Sequence, residues 1–387
     1  MNRLKLALCL RKGANLVLKK MTLLLFPRTR VILEKLRSQK GKILILRTGN
    51  IGDTACALPA LAALRENFPS SHLCLLTSPG PQGLPEAHEV LEGLGLVDEI
   101  ITFYQEDLAH WRFRRSLLRD LRRRGFHLFV LLPQERSSLS RNLRDLLFAR
   151  LLGVKGALGF DLANAFPGFD LRTLKDYVPP HNEVERLLLL LGRAGINGIR
   201  PFILNLPASC HRLAEELLHP HRRDGRIIIG FQAFAKEQAK QWPLENFAEL
   251  GRSLYEAYQP LFVLVGGPGD RERLQDLATR FPGDKLIAAG QATVLETAAL
   301  LARCHVLVTL DTGPMHLAAL VGTSIVALFS ARQFPRMWDP HTDQGILLRA
   351  LAPCDLCFQD NCAHLTCMQT IGVKEVENAV ERILGMK

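Results

Sequence analysis

Six residues, Asp311-Thr-Gly-Pro-Met-His316, hold the parts of an anion cradle. Gly313 lets backbone come close to a ligand, and Pro314 suits the first turn of a helix, where its missing N–H costs nothing. The N–H groups of Met315 and His316, with the positive end of the helix dipole, then face a phosphate. Thr312 is the expected N-cap and offers a hydroxyl. Asp311 closes the apolar run 306–310, where open α/β sheets keep their ligand-contacting side chains. A diphosphate suits such a turn. A well-capped helix with a buried, backbone-bonded histidine at 316 fits the same residues.

Around the cradle, short apolar runs alternate with helical patterns. Residues 42–47 read as a strand and 48–53 as a turn-rich connection. A helix follows over 55–68, interrupted at Pro59. Strands are expected at 72–77, 97–103 and 128–132, with helices over 108–124 and over 138–152, the latter ending at Gly153. The pattern restarts with strands at 227–230, 261–265 and 306–310 and a helix over 247–258. Such alternation predicts an α/β protein of two Rossmann-like halves with parallel sheets facing across a cleft. The expected boundaries are a basic segment 1–40, domains 41–205 and 206–345, and a cysteine-rich segment with a final helix over 346–387. The length of 387 residues, with 48% hydrophobic and 22% charged, suits two globular domains and excludes a disordered or fibrous chain.

The net charge of +11 is concentrated at the start, where residues 1–40 carry eleven Lys and Arg against the single Glu34. Leucines are interleaved with these charges. The longest uncharged run there, 21–27, is far shorter than the ~20 residues a bilayer span needs. Charges recur throughout and no small-residue cleavage site follows an apolar core, so a secretory signal is not expected. Basic residues mixed with leucines suit an anionic membrane surface; a solvated tail, or a helix packed on its own domain, fits as well. Nucleic acid is not an expected partner, since interleaved aromatics and any known module are missing.

Nine cysteines without export features are expected as free thiols. Four cluster as C-x2-C-x4-C-x4-C: Cys354, Cys357, Cys362 and Cys367, with His364 among them. That spacing admits a structural zinc or iron–sulfur site, two disulfides, or reduced thiols serving local packing.

Three stretches in order make the pattern specific. Ile43-Leu-Ile-Leu-Arg-Thr-Gly-Asn-Ile-Gly-Asp53, running on to Leu58-Pro-Ala-Leu61, is followed by Lys240-Gln-Trp-Pro243 and then Asp311 to His316. Together, from about residue 42 to 330, they resemble the heptosyltransferase family (glycosyltransferase family 9). The resemblance implies a GT-B fold with the nucleotide-sugar held mainly by the C-terminal domain. It implies ADP-heptose as donor, a lipopolysaccharide inner core (a lipid-linked oligosaccharide) as acceptor, and inversion with no cofactor or catalytic metal. A cytoplasmic enzyme, peripheral on the inner face of the cytoplasmic membrane, is expected.

Inverting transfer needs a base for the acceptor hydroxyl, and the resemblance assigns that role to Asp53 on its glycine-flanked loop. Asp53 also fits a simple helix cap. Lys240 matches the family lysine that meets the leaving diphosphate, although its neighbours look like those of a surface lysine. Asp311, Thr312, Gly313, Pro314, Met315 and His316 complete the expected donor site, while Trp242 and Pro243 are expected to pack. Gly269 stands where some family members place an acidic residue near the ribose, with Asp270 one step on. Arg136 and Arg141, on a loop after strand 128–132, are acceptor candidates. The basic helix around Trp111, with Arg112, Arg114, Arg115, Arg119 and Arg122 to Arg124, suits either a phosphorylated acceptor or solvent. Another nucleotide-sugar or acceptor, or a non-catalytic nucleotide-sugar- or membrane-binding relative, are the alternatives. The presence of Asp53, Lys240 and His316 counts against loss of activity, and the Asp53 loop counts against an epimerase.

Overall fold

A computed structural model of the protein describes residues 3–78, 87–104, 106–198, 202–221 and 223–385. The chain divides into two compact units, residues 1–201 and 202–387. The first contains, in chain order, α1 (Arg3–Leu25), α2 (Thr29–Ser38), β1 (Lys42–Leu46), α3 (Ile51–Asn67), β2 (His72–Thr77), β3 (Glu99–Thr102), α4 (Trp111–Arg123), β4 (Leu128–Leu131), α5 (Leu139–Leu152), β5 (Gly156–Leu158) and α6 (Glu183–Gly192). Its sheet has the order β3-β2-β1-β4-β5, every pairing parallel. The central strand is Ile-Leu-Ile-Leu after its first residue and is buried on both faces, as a helix-covered parallel strand must be.

Local chemistry sets the helix ends. Ser138 caps α5 by accepting from the Arg141 N–H, and Gly153 ends it at φ +78°. Pro59 lies inside α3 instead of starting it. A proline there forfeits one intrahelical bond, but residues 54–64 are all buried, so packing outweighs that loss. Residues 3–40 are part of the first unit: Leu33 and Leu36 of α2 are buried, and the Thr29 hydroxyl donates to the Ala157 carbonyl. Along α1, Ala7 and Leu18 are buried, and Arg11 donates to the Ala163 carbonyl and the Tyr177 hydroxyl.

The second unit contains α7 (Ala208–Leu218), β6 (Ile228–Gln232), α8 (Leu244–Tyr258), β7 (Leu261–Leu264), α9 (Arg271–Thr279), β8 (Lys285–Ile287), α10 (Val294–Leu301), β9 (Val306–Leu310), α11 (Gly313–Leu320), β10 (Ile325–Phe329), β11 (Gly345–Arg349), α12 (Thr366–Gln369) and α13 (Val373–Gly385). Its parallel sheet runs β8-β7-β6-β9-β10-β11. In both sheets the strand order reverses beside the first strand of the unit: between β1 and β4, and between β6 and β9. Doubly wound sheets bind ligands at the carboxyl ends of strands flanking such a point. Those ends carry Arg47 and Leu132 in the first unit, and Gln232 and Asp311 in the second.

Candidate functional site

In the first unit, β1 ends at Leu46 and the next side chain, Arg47, turns into the protein, where it is almost wholly buried. Its guanidinium donates to the carbonyls of Pro133 (3.0 Å) and Asp53 (3.0 Å), and its Nη2 lies 3.3 Å from the Asp53 carboxylate. Asp53 sits in the first turn of α3, not on a loop as expected, because the helix begins at Ile51. Its Oδ2 accepts from the Asn50 N–H at 3.0 Å, so the capping bond is also made. Gly49 is required beside it: with φ at +141°, an added Cβ would stand 2.4 Å from the Asp53 side chain.

The Asp53 side chain is 15% exposed. Burial pushes its carboxyl up to about 7; the Arg47 charge pulls against this, Glu135 and Glu183 add to the rise, and the Asn50 N–H lowers it. A carboxyl in that range changes protonation near neutrality, the property a general base needs. Arg136 pairs with Glu135 at 3.2 Å in the connection after β4. Arg141 lies within the first turn of α5, where its guanidinium donates to the Gln134 side chain. Both stand in the segment that follows β4.

In the second unit Asp311 follows β9 directly and is buried. The Lys240 Nζ lies 3.0 Å from its carboxylate and 3.0 Å from its carbonyl, with Glu237 at 3.7 Å. At 12% exposure Lys240 is held inside this turn and is not a surface lysine. The loop that carries it is fixed by the cysteine-rich segment, since the Ala239 N–H donates to the Asp360 carbonyl. Helix α11 starts at Gly313 with Pro314 in its first turn. Thr312 occupies the N-cap position without a side-chain cap; its hydroxyl instead bonds the Gln232 side-chain oxygen at 2.9 Å. That same buried oxygen accepts from the Thr309 hydroxyl and the Leu310 N–H, both at 3.2 Å. Gln232 thus fixes the turn from the neighbouring strand, and no short motif announced it. Met315 and His316 are buried, with the His316 ring 6.0 Å from that of Trp338. Trp338 adjoins Asp339, which Arg349 pairs at 2.9 Å.

The carboxylate of Asp270 accepts from the Gly267 N–H and closes its own turn. Trp242 is buried, donates to the Ile371 carbonyl and packs edge-on against Phe247, as a packing residue would. Cys354, Cys357, Cys362 and Cys367 are free thiols. Among the described residues, no group of three or more His, Cys, Asp and Glu side chains is placed to hold a metal ion, so the structural zinc or iron–sulfur expectation is not supported. Cys367 is buried on α12 and Cys354 is exposed, yet Cys354 and Cys362 lie near enough that their charges add to the upward push that burial gives the Cys367 thiol.

The family model of glycosyltransferase family 9 (heptosyltransferase) matches residues 114–367. Lipopolysaccharide heptosyltransferase 3 of Escherichia coli is 24% identical over 301 residues, covering 74% of this chain and 83% of that protein. Among solved structures, a glycosyltransferase family 9 protein from Veillonella parvula superposes with a TM-score of 0.71 at 20% identity, over 90% of this chain and 98% of that one. The ADP-heptose lipopolysaccharide heptosyltransferase II of E. coli superposes with a TM-score of 0.62 at 20% identity, over 89% and 99% of the two chains. The shared architecture is the GT-B fold.

Proposed function

This chain belongs to glycosyltransferase family 9, the heptosyltransferases, and we propose that it moves heptose from ADP-heptose to a lipopolysaccharide inner-core acceptor with inversion, without a metal. The observation that carries this reading is the Asp53 carboxyl at the switch point of the first sheet, mostly buried and poised near neutral pH. An acceptor hydroxyl attacks C1 of the donor heptose as Asp53 takes its proton. The C1–O bond to the diphosphate breaks on the opposite face, and ADP leaves with the bonding pair. Charge gathers on the diphosphate as it leaves. Lys240, released from Asp311, and the first turn of α11 supply compensating positive potential there. Arg136 and Arg141 are the residues we assign to acceptor phosphate or carboxylate groups.

The same reading places the enzyme peripherally on the cytoplasmic face of the inner membrane. Helix α1 is apolar on two sides. One side packs inward through Ala7 and Leu18; another exposes the stripe Leu6, Leu10, Val17 and Leu24, with Leu24 80% exposed, and Leu16 and Leu23 are exposed further round the helix. Lys5, Lys12, Lys19 and Lys20 flank that outer stripe. Leucines bordered by lysines suit the interface of an anionic bilayer. Among the described residues no helix is long and apolar enough to cross a membrane. The double substitution Leu16→Glu with Leu24→Glu leaves the inner side untouched, so it should abolish sedimentation with phosphatidylglycerol vesicles and leave melting unchanged. Equal sedimentation would remove the membrane from the reading.

Calorimetry with ADP, UDP, GDP and CMP, without added metal, tests the donor site. Selective ADP binding, followed by heptose transfer from ADP-heptose to heptose-free lipopolysaccharide, is expected. A preference for another nucleotide moves the donor, and no binding by any of the four rejects the transferase reading.

A further inference from the structure

Glu183 opens α6 and belongs to none of the motifs, yet its carboxylate is 1% exposed and fully engaged. Arg186, one turn on, grips it through both Nε and Nη2 at 2.8 Å. The Arg47 Nη1 approaches it from the end of β1 at 3.1 Å. The result is a buried chain of alternating charge, Arg186–Glu183–Arg47–Asp53, whose last link is the longest at 3.3 Å. Even that link is shared, because the same Arg47 nitrogen donates to the Asp53 carbonyl at 3.0 Å. An arginine buried beside one carboxylate would form a closed ion pair and hold that carboxylate ionised but weakly basic. Here the guanidinium has a second, closer anion.

We propose that Glu183 is a positioning residue: by binding Arg47 it turns the guanidinium into a fixed clamp that aims the Asp53 carboxylate through one N–H and leaves it free to accept a proton. This rests on Asp53 being the base. The assignment suits the charges involved. Burial alone would push the Glu183 carboxyl up, but Arg186 and Arg47 outweigh it and hold it below the usual range, so Glu183 is a permanent anion. The charged groups facing Asp53 are Arg47 from β1, Glu135 from the connection after β4, and Glu183 from α6, besides the Asn50 N–H of its own helix. Of the two acids, Glu183 alone binds the clamp. A purely architectural role, tying α6 to the β1 and β4 ends, would use the same bonds without touching the basicity of Asp53.

The titration of the Asp53 carboxyl separates these cases. It is read from infrared difference spectra between each protein and its own Asp53→Asn variant, and needs no substrate. In Glu183→Gln the amide cannot balance Arg47, whose charge then falls on Asp53. The Asp53 midpoint should move at least one pH unit below that of the parent, and the acid limb of the kcat profile for ADP-heptose should follow it. Glu183→Asp, which keeps the charge, should restore most of the shift. If Glu183→Gln does not fold, the double variant Glu183→Gln with Arg186→Met, which strands no guanidinium, carries the same expectation. A midpoint that stays within 0.3 units of the parent overturns the proposal, even where turnover has fallen, and leaves Asp53 as the base. Full turnover by Asp53→Asn would overturn both.

Discussion

The two units build their candidate sites in opposite ways. The first unit gathers Arg47, Asp53, Glu183 and Arg186 from two widely separated stretches into one buried charge network. The second unit needs little more than one turn: Asp311, Thr312 and the start of α11, with Lys240 bound back onto Asp311 and Gln232 fixing the whole from β6. The difference follows from the tasks. Holding a diphosphate requires donors that point one way, and a strand–turn–helix provides them from its own backbone. Keeping a carboxylate basic requires control over desolvation and several charges at once, which no single turn can supply.

The largest effect should come from Asp53→Asn. Loss of a positioned base typically costs about 10²–10⁴ in kcat, so that range is expected with ADP affinity within about twofold of the parent. Parent-level turnover would dissolve the contrast between the halves. Next comes Lys240→Met, which removes a charge-assisted contact and strands the buried Asp311 carboxylate. ADP affinity should fall roughly 10- to 100-fold and the melting temperature should drop with it. Unchanged calorimetric affinity would make Lys240 a partner of Asp311 and nothing more. A smaller change is expected from Gln232→Met, which deprives three donors of their acceptor. The turn should loosen and ADP binding weaken only by roughly 3- to 10-fold, because the backbone of α11 still carries the anion.

That same contrast explains what could be read before any coordinates. The strand, turn and helix around Asp311–His316 were legible because their parts are consecutive and mostly local in their chemistry. So were the buried strands and the capped ends of α5, with Ser138 and Gly153 where the chain changes period. The network behind Asp53 was not. Glu183 lies 130 residues away in the sequence, in Asn-Glu-Val-Glu-Arg, which reads as an ordinary capped helix start. Its one signal was negative: two acids and an arginine in the first turn of a helix whose remaining residues are almost all leucine, a face too apolar to leave those charges in water. The Lys240 loop misled for a related reason. Its neighbours Lys236, Glu237 and Gln238 suggest solvent, but the Asp360 carbonyl draws the loop inward. The second apolar stripe of α1 was hidden because leucines on both sides of a helix blur its periodicity.

The smallest effect is thermal and tests the first unit alone. A carboxyl raised to about 7 in the folded protein from an ordinary value of 3.8 binds its proton more tightly when folded than when unfolded. Folding stability contributed by Asp53 therefore falls as pH rises from about 4 to about 7, and stays at its lower level above that. Asp53→Asn carries no such charge, and Arg47 keeps Glu183 as its anion. The variant should melt several degrees above the parent at pH 8. The gap should shrink through pH 7 to 5 and vanish near pH 4, where the parent carboxyl is neutral in the fold and half-protonated in the unfolded chain. A base kept ready in this way destabilises the protein that holds it, as strained functional groups generally do. A melting difference that does not change with pH would mean that the Asp53 carboxyl titrates as if exposed. The network would then be scaffolding, and the candidate sites of the two units would differ in sequence layout without differing in physics.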